Sequence, residues 1–295
     1  MPVKDFILAV SIMAIWGVNF SVIKLGMGTL DSFTLNGLRF LLCAFPLVFF
    51  VKKPDLAWKY IASYGLLFGV GVWGMVGLGI HFGASAGVTS LILQLSAFLV
   101  VLTGAVIFKE KLNIGQYIGL GLALIGLLLI ASVADGRATL LGMGMVMFAA
   151  LALSSTIIMF KYLKVKQMFG LLVWSSLFSP IPLFAMAYFV NGMDVFTNLW
   201  VNLTPIAIFS LLFQAYPTTL LGRLIFNNMI VKYPMNITML ISFLVPIFGL
   251  LGSYIIFDEQ IGLVKIISCS LIIIGLAVST FWLHIRKVVA SKASG

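Results

Sequence analysis

The sequence predicts an all-α integral membrane protein: ten transmembrane helices, arranged as two inverted-topology five-helix repeats around a central cavity. Three observations predict it. The composition is 62% hydrophobic and 9% charged, with a mean hydropathy of +1.19, which leaves too little polar surface to cover a water-soluble globule. Ten apolar segments approach the roughly 20 residues a helix needs to cross a bilayer core. Finally, the stretch from Ala97 to Leu127 recurs from Pro246 to Leu276. A shift of 149 residues sets Phe108 and Glu110 on Phe257 and Glu259, and Ile125-Gly126-Leu127 on Ile274-Gly275-Leu276. Apolar matches come cheaply, so the weight rests on the charged turn and the late glycine keeping one spacing.

The segments run from Phe6 to Met27, Phe33 to Val51, Tyr60 to Ile80, Ala84 to Phe108, Ile114 to Ser132, Leu140 to Phe160, Met168 to Val190, Ile206 to Val231, Asn236 to Phe257 and Gly262 to Leu283. Their apolar runs are continuous rather than alternating, which argues against a closed β-barrel. The first follows Lys4 but is too long for a signal peptide and shows no small-residue cleavage site, so it is expected to stay as a helix. Five segments precede the turn Ala134-Asp135-Gly136-Arg137 and five follow it, which divides the chain into repeats 1–135 and 136–295. An odd number per half forces the repeats to be inverted. The duplicated turns agree: Lys109-Glu110-Lys111 is basic, and its counterpart Asp258-Glu259-Gln260 is acidic.

The net charge of +10 does not point to nucleic acid, because the basic residues are scattered over short turns with no aromatic platform beside them. Orientation accounts for it. Lys52, Lys53, Lys59, Lys109, Lys111, Lys161, Lys164, Lys166 and Lys232 fall in the even-numbered turns, while the odd-numbered turns carry mainly Asp31, Asp135, Asp194, Asp258 and Glu259. By the positive-inside rule both termini are cytoplasmic. Cys43 and Cys269 lie mid-segment, where neither a disulfide nor a metal site is indicated. No phosphate-cradling glycine loop, nucleophile–base pair or metal-ligand cluster stands out, so neither catalysis nor a cofactor is expected. The expected partners are a small-molecule substrate and the lipid bilayer.

Polar residues inside the segments carry the functional reading, since they are costly there. Tyr216, Thr219, Arg223 and Asn227 follow one another at spacings of three, four and four, which sets them on one face of segment eight. A stripe with one cation suits a cavity that receives an anionic group such as a carboxylate. The competing reading has segment eight ending early, with Arg223 as an interfacial anchor. Segment one offers Trp16 and Asn19, able to combine stacking with hydrogen bonds; Asn19 as interhelical glue is the alternative. Trp73, Ser90, Gln94 and Ser242 complete the candidate cavity from segments three, four and nine. Lys24 and Arg39 are read as anchors reaching the outer headgroups. Interrupted helices in matching positions build the site in inverted-repeat carriers. Gly69-Val70-Gly71, matched by Thr218-Thr219-Leu220 directly after Pro217, are the candidates here. No Asp or Glu lies mid-segment to serve as a proton relay.

The motifs Trp16-Gly17-Val18-Asn19-Phe20 with Lys24, Gly37-Leu38-Arg39-Phe40, Phe108-Lys109-Glu110-Lys111-Leu112, and Leu244-Val245-Pro246 leading to Asp258-Glu259 together resemble the drug/metabolite transporter superfamily, in its ten-helix EamA-type branch. The run Leu91-Ile92-Leu93-Gln94 ahead of Ala97-Phe98 is similar to the bacterial O-acetylserine/cysteine exporter group. The resemblance implies a basket in which segments one, three, four, six, eight and nine surround a substrate cavity. It also implies export of amino acids or related metabolites across a bacterial inner membrane. Where many relatives carry an aromatic in segment eight, this chain has Arg223, which points toward a more anionic substrate. The expected function is therefore an alternating-access exporter of small polar metabolites. A non-transporting membrane scaffold, and a carrier for a more anionic or nucleotide-like substrate, are the alternatives.

Overall fold

The computed structural model describes residues 1–84, 86–133, 139–258 and 262–293, and among these the regular structure is helical, with no strand. Seven helical stretches are long and apolar enough to cross a membrane: α1 (Val3–Gly26), Ser32–Phe49, α3 (Trp58–His81), α6 (Leu140–Tyr162), α7 (Met168–Asn191), α8 (Pro205–Lys232) and Ile237–Phe257. The second holds helix α2 (Ser32–Ala44). The last belongs to α9, formed by two α-helical pieces, Met235–Ser242 and Val245–Phe257. Three more helices, α4 (Ala86–Ile107), α5 (Ile114–Val133) and α10 (Leu263–Ala293), carry shorter apolar stretches, Ile92–Ile107, Ile114–Leu129 and Ile266–Ser279.

Helix ends follow local chemistry. The Asp31 carboxylate accepts from the backbone N–H groups of Phe33 and Thr34 at 2.9 and 3.0 Å, and the Thr204 hydroxyl accepts from Ala207 N–H, each filling a donor that the first turn leaves open. The helical run expected to continue to Val51 instead leaves α-geometry after Ala44, because the residue before Pro46 is pushed out of the helical region, and a short 3-10 turn, Leu47–Phe49, follows. Two short helices, Asp194–Thr197 and Leu199–Asn202, cross between α7 and α8.

Two helices depart from α-geometry internally. α3 becomes π-helical over Leu67–Gly74, and α8 does so over Gln214–Gly222, around Pro217. Under the 149-residue shift the two segments overlap, and they contain both predicted interruptions, Gly69-Val70-Gly71 and Thr218-Thr219-Leu220. Proline supplies the cause in α8, since it lacks the N–H for an i to i−4 bond and crowds the preceding turn.

The helices pack in exchanged pairs. α1 lies along α9 and α4 along α6; α3 lies along α6 and α8 along α1. α2 packs with α7, α4 with α9 and α5 with α10. α5 and α10 meet backbone to backbone. A Cβ added at Gly119 would stand 2.4 Å from the carbonyl oxygen of Gly275, and one at Gly275 would stand 2.6 Å from that of Gly119. A Cβ at Gly126 would stand 2.8 Å from the carbonyl oxygen of Ser268. The shift relates Gly119 to Ser268 and Gly126 to Gly275, so the two contacts are reciprocal, as across a two-fold axis.

Candidate functional site

The π-helical stretches of α3 and α8 face each other across α2, and two arginines lie between them. Arg39 on α2 is 1% exposed and Arg223 on α8 is 6% exposed. Arg39 donates from Nε to Thr219 Oγ1 at 2.7 Å and from Nη1 to Gln214 Oε1 at 3.4 Å. Its guanidinium lies 4.5 Å from the Trp73 ring centroid. The Arg223 guanidinium lies 3.8 Å from the Phe68 ring centroid and 5.8 Å from that of Trp16. Phe68 and Trp73 meet edge to face at 6.5 Å, so the cations and rings form one continuous cluster.

The expectation that Arg39 snorkels to the headgroups is overturned: its side chain is enclosed by α3 and α8. Arg223 is buried as well, and α8 continues as a helix to Lys232, about 13 Å further on at 1.5 Å per residue. Among the described residues neither guanidinium has a carboxylate partner. A desolvated cation over an aromatic face gains about 2 kcal/mol, against an effective burial penalty of several kcal/mol per ion. Arg39 has the Thr219 and Gln214 oxygens besides its ring, whereas Arg223 has rings alone and is left under-compensated.

α8 presents its polar residues differently from the α-helical expectation. Its buried face carries Ser210, Gln214, Thr219, Arg223 and Asn227, at spacings of four, five, four and four. The step of five is the π-turn, spanned by a bond from Thr219 Oγ1 to the Gln214 carbonyl at 2.7 Å. Tyr216, expected on this face at an α-helical spacing of three from Thr219, is turned away and is 37% exposed. The wider turn rotates everything N-terminal to it relative to Thr219.

The other predicted residues divide. Trp16 donates from Nε1 to the Thr218 carbonyl at 3.0 Å, and Asn19 accepts at Oδ1 from Thr218 Oγ1 at 3.1 Å. Both thus lock α1 to the π-turn. A Cβ at Gly222 would stand 2.6 Å from Trp16 Nε1, so only glycine leaves room for that indole. Asn227 donates from Nδ2 to Tyr64 Oη at 3.4 Å, while its Oδ1 is buried without a partner; Trp73 Nε1 is likewise buried and unpaired. Gln94 donates to the Ser242 carbonyl at 3.1 Å, which ties α4 to α9. The Ser90 side chain lies outside the described residues. Sequence reasoning missed Gln214, Tyr64 and Phe68, and named Thr218 only as part of the interruption. For Gln214 the signal was Pro217, which changes the helical period; Phe68 and Tyr64 read as ordinary core aromatics.

Chemically, the cluster offers guanidinium donors, one free indole N–H and one free amide oxygen, all inside an apolar bundle. That set binds and orients. Lys24 lies 4.1 Å from the Phe257 ring centroid, and Lys161 lies 5.4 Å from that of Phe108. Lys161 also pairs with Glu110 Oε1 at 2.5 Å, and the same oxygen accepts from Met235 N–H at 3.1 Å. The charged turn of the first hairpin is thereby fastened to the ends of α6 and α9.

Comparison with known proteins gives consistent matches over the whole length. The probable amino-acid metabolite efflux pump of Escherichia coli (strain K12) is 31% identical, over 98% of this chain and 99% of its own. That of Salmonella typhimurium (strain LT2) is 32% identical over 100% of both chains. A crystal structure of a protein covers 97% of this chain and 99% of its own with a TM-score of 0.77 at 16% identity, a likeness that bears on the fold alone. The EamA-like transporter family matches residues 4–132 and again 140–281. Matched in both halves and across nearly all its length, the chain is a multi-pass membrane protein that belongs to the EamA-like transporter family.

Proposed function

We propose that the protein is an alternating-access exporter of small amino-acid-type metabolites in a bacterial inner membrane, with both termini cytoplasmic. The observation that carries the substrate class is the buried face of α8. There the Arg223 guanidinium and the unpaired Asn227 Oδ1 stand one turn apart, complementary to the carboxylate and the ammonium of an amino acid. The printed names of the Escherichia coli and Salmonella typhimurium relatives, both probable amino-acid metabolite efflux pumps, support the class and the direction.

In this reading residues 1–135 and 136–295 are two inverted repeats of five helices. The exchanged packing pairs and the reciprocal contacts of Gly119 with Gly275 and Gly126 with Ser268 support it. The lysine-rich even-numbered turns support the orientation. Trp16, Asn19, Trp73 and Thr219 join Arg223 and Asn227 as the substrate-facing set. Gln94 and Ser242 hold the wall between α4 and α9, with Ser90 beside them by sequence. Tyr216 drops out of the set. The fit is to transport rather than catalysis, and no metal or cofactor is assigned.

The test is counterflow in proteoliposomes holding the purified full-length protein. Saturable exchange of a labelled amino acid is the expected result. Linear, non-saturating flux would favour a pore, and neither flux nor thermal stabilisation by a metabolite panel would favour a scaffold.

A further inference from the structure

We infer that the arginine and aromatic cluster between α2, α3 and α8 receives an amino acid bearing a second acidic group, so that the exported species is a net anion; this deepens the export reading and rests on it. A simple zwitterion brings one carboxylate and one ammonium. Arg223 and the Asn227 amide oxygen satisfy both, which leaves Arg39 over. Arg39 comes from a different helix, is 1% exposed, and engages only Nε and one terminal nitrogen, with Thr219 and Gln214. A guanidinium carries five donors in a planar fork, so part of that fork is still unspent. Beside it stands the unpaired Trp73 Nε1, on a ring whose centroid is 4.5 Å from the guanidinium.

The Phe68 ring stacks under Arg223 and meets edge-on the Trp73 ring that lies beside Arg39. One acidic group on each guanidinium gives each buried cation a counter-charge, because no carboxylate among the described residues neutralises either one. A neutral extension in place of the second acid would leave Arg39 buried without a counter-charge, a penalty for a site built from charged donors.

The energetics of transport follow. The carrier returns to its starting state in every cycle, so only the charge of the substrate crosses the membrane. An anion leaving a cell with a negative interior moves down the electrical gradient. Export then needs no proton relay, and the absence of Asp and Glu from the middle of the segments becomes an expected property.

The experiment uses the full-length protein in proteoliposomes, with labelled glutamate or aspartate against labelled serine, and a potential set by potassium and valinomycin. The expected result is saturable flux of the acidic probe. Its steady-state distribution should change about fifty-fold for about 100 mV, the value for one net charge, while serine is carried poorly and without response to potential. Arg39→Gln should lose at least tenfold of the preference for the acidic probe at unchanged elution and melting temperature, and Arg39→Lys should recover part of it. Should Arg39→Gln fail to fold, the comparison of the two probes in the unaltered protein decides alone. Serine carried as well as the acidic probe, with no effect of potential, overturns the inference and leaves the exporter reading standing. No saturable flux and no thermal stabilisation with either probe overturns both.

Discussion

The α5–α10 pair and the α3–α8 pair are both related by the same 149-residue shift, yet they use that relationship in opposite ways. α5 and α10 are unbroken α-helices that meet backbone to backbone through Gly119 and Gly275, and the match extends to sequence. α3 and α8 share a departure from α-geometry at the same place, but their residues there have diverged, Gly69-Val70-Gly71 on one side and Thr218-Thr219-Leu220 on the other. Where the two halves kept their residues they form scaffold. Where only the backbone irregularity is shared, α8 alone places polar side chains among the arginines and rings.

Substitutions can break or sharpen this contrast. Truncating a buried charge that meets an opposite one costs about 2–5 kcal/mol. Arg223→Ala is therefore expected to lower counterflow of carboxylate-bearing substrates by about a hundredfold, and the melting temperature should hold or rise as an under-compensated charge leaves. Equal loss across substrates of every charge would return Arg223 to a structural role. Gly275→Leu should do the reverse: overpacking against the Gly119 carbonyl costs about 1–3 kcal/mol, read as a lower melting temperature and yield, while the KM of the surviving protein is unchanged. Thr219→Val removes the acceptor for Arg39 Nε, a bond to a charged group worth about 1.5 kcal/mol. A KM about tenfold higher with maximal flux retained is the expected outcome. Tyr216→Phe should change transport by less than about twofold, the usual size of an exposed substitution; a larger loss would bring Tyr216 back to the cavity.

Much of the fold was legible because crossing a bilayer is a constraint on length and polarity that single segments must satisfy alone. α3 and α8 were expected at Tyr60 to Ile80 and Ile206 to Val231, and they run Trp58–His81 and Pro205–Lys232. Their interruptions were legible as well, from two glycines in one and a proline in the other. The candidate site was legible only in part. Arg223, Asn227 and Thr219 were found because their α-helical spacing holds on one side of the π-turn, and Tyr216 was misplaced because that spacing fails across it. Arg39 was misread for a different reason. Its distance from the helix end allows a side chain to reach the headgroups, and only the position of α3 and α8 around it shows that the route is closed. Enclosure is a property of tertiary packing, and no pattern within α2 encodes it.

The π-turn of α8 has one residue more than an α-turn would hold. The helix therefore carries a residue that can be removed without breaking the chain's path through the bundle. Deleting a residue inside the step from Gln214 to Thr219, such as Tyr216, which is 37% exposed, would let the turn relax to α-geometry while Thr219, Arg223 and Asn227 keep the face they share with Gln214, because a π-turn of five and an α-turn of four each close about one turn. Relaxing the π-turn with every residue kept would instead turn Thr219, Arg223 and Asn227 by about 100° relative to Gln214, moving the whole polar face at once, where point changes replace it one side chain at a time. The winding of α8, and not residue identity alone, thus sets which groups share the buried face.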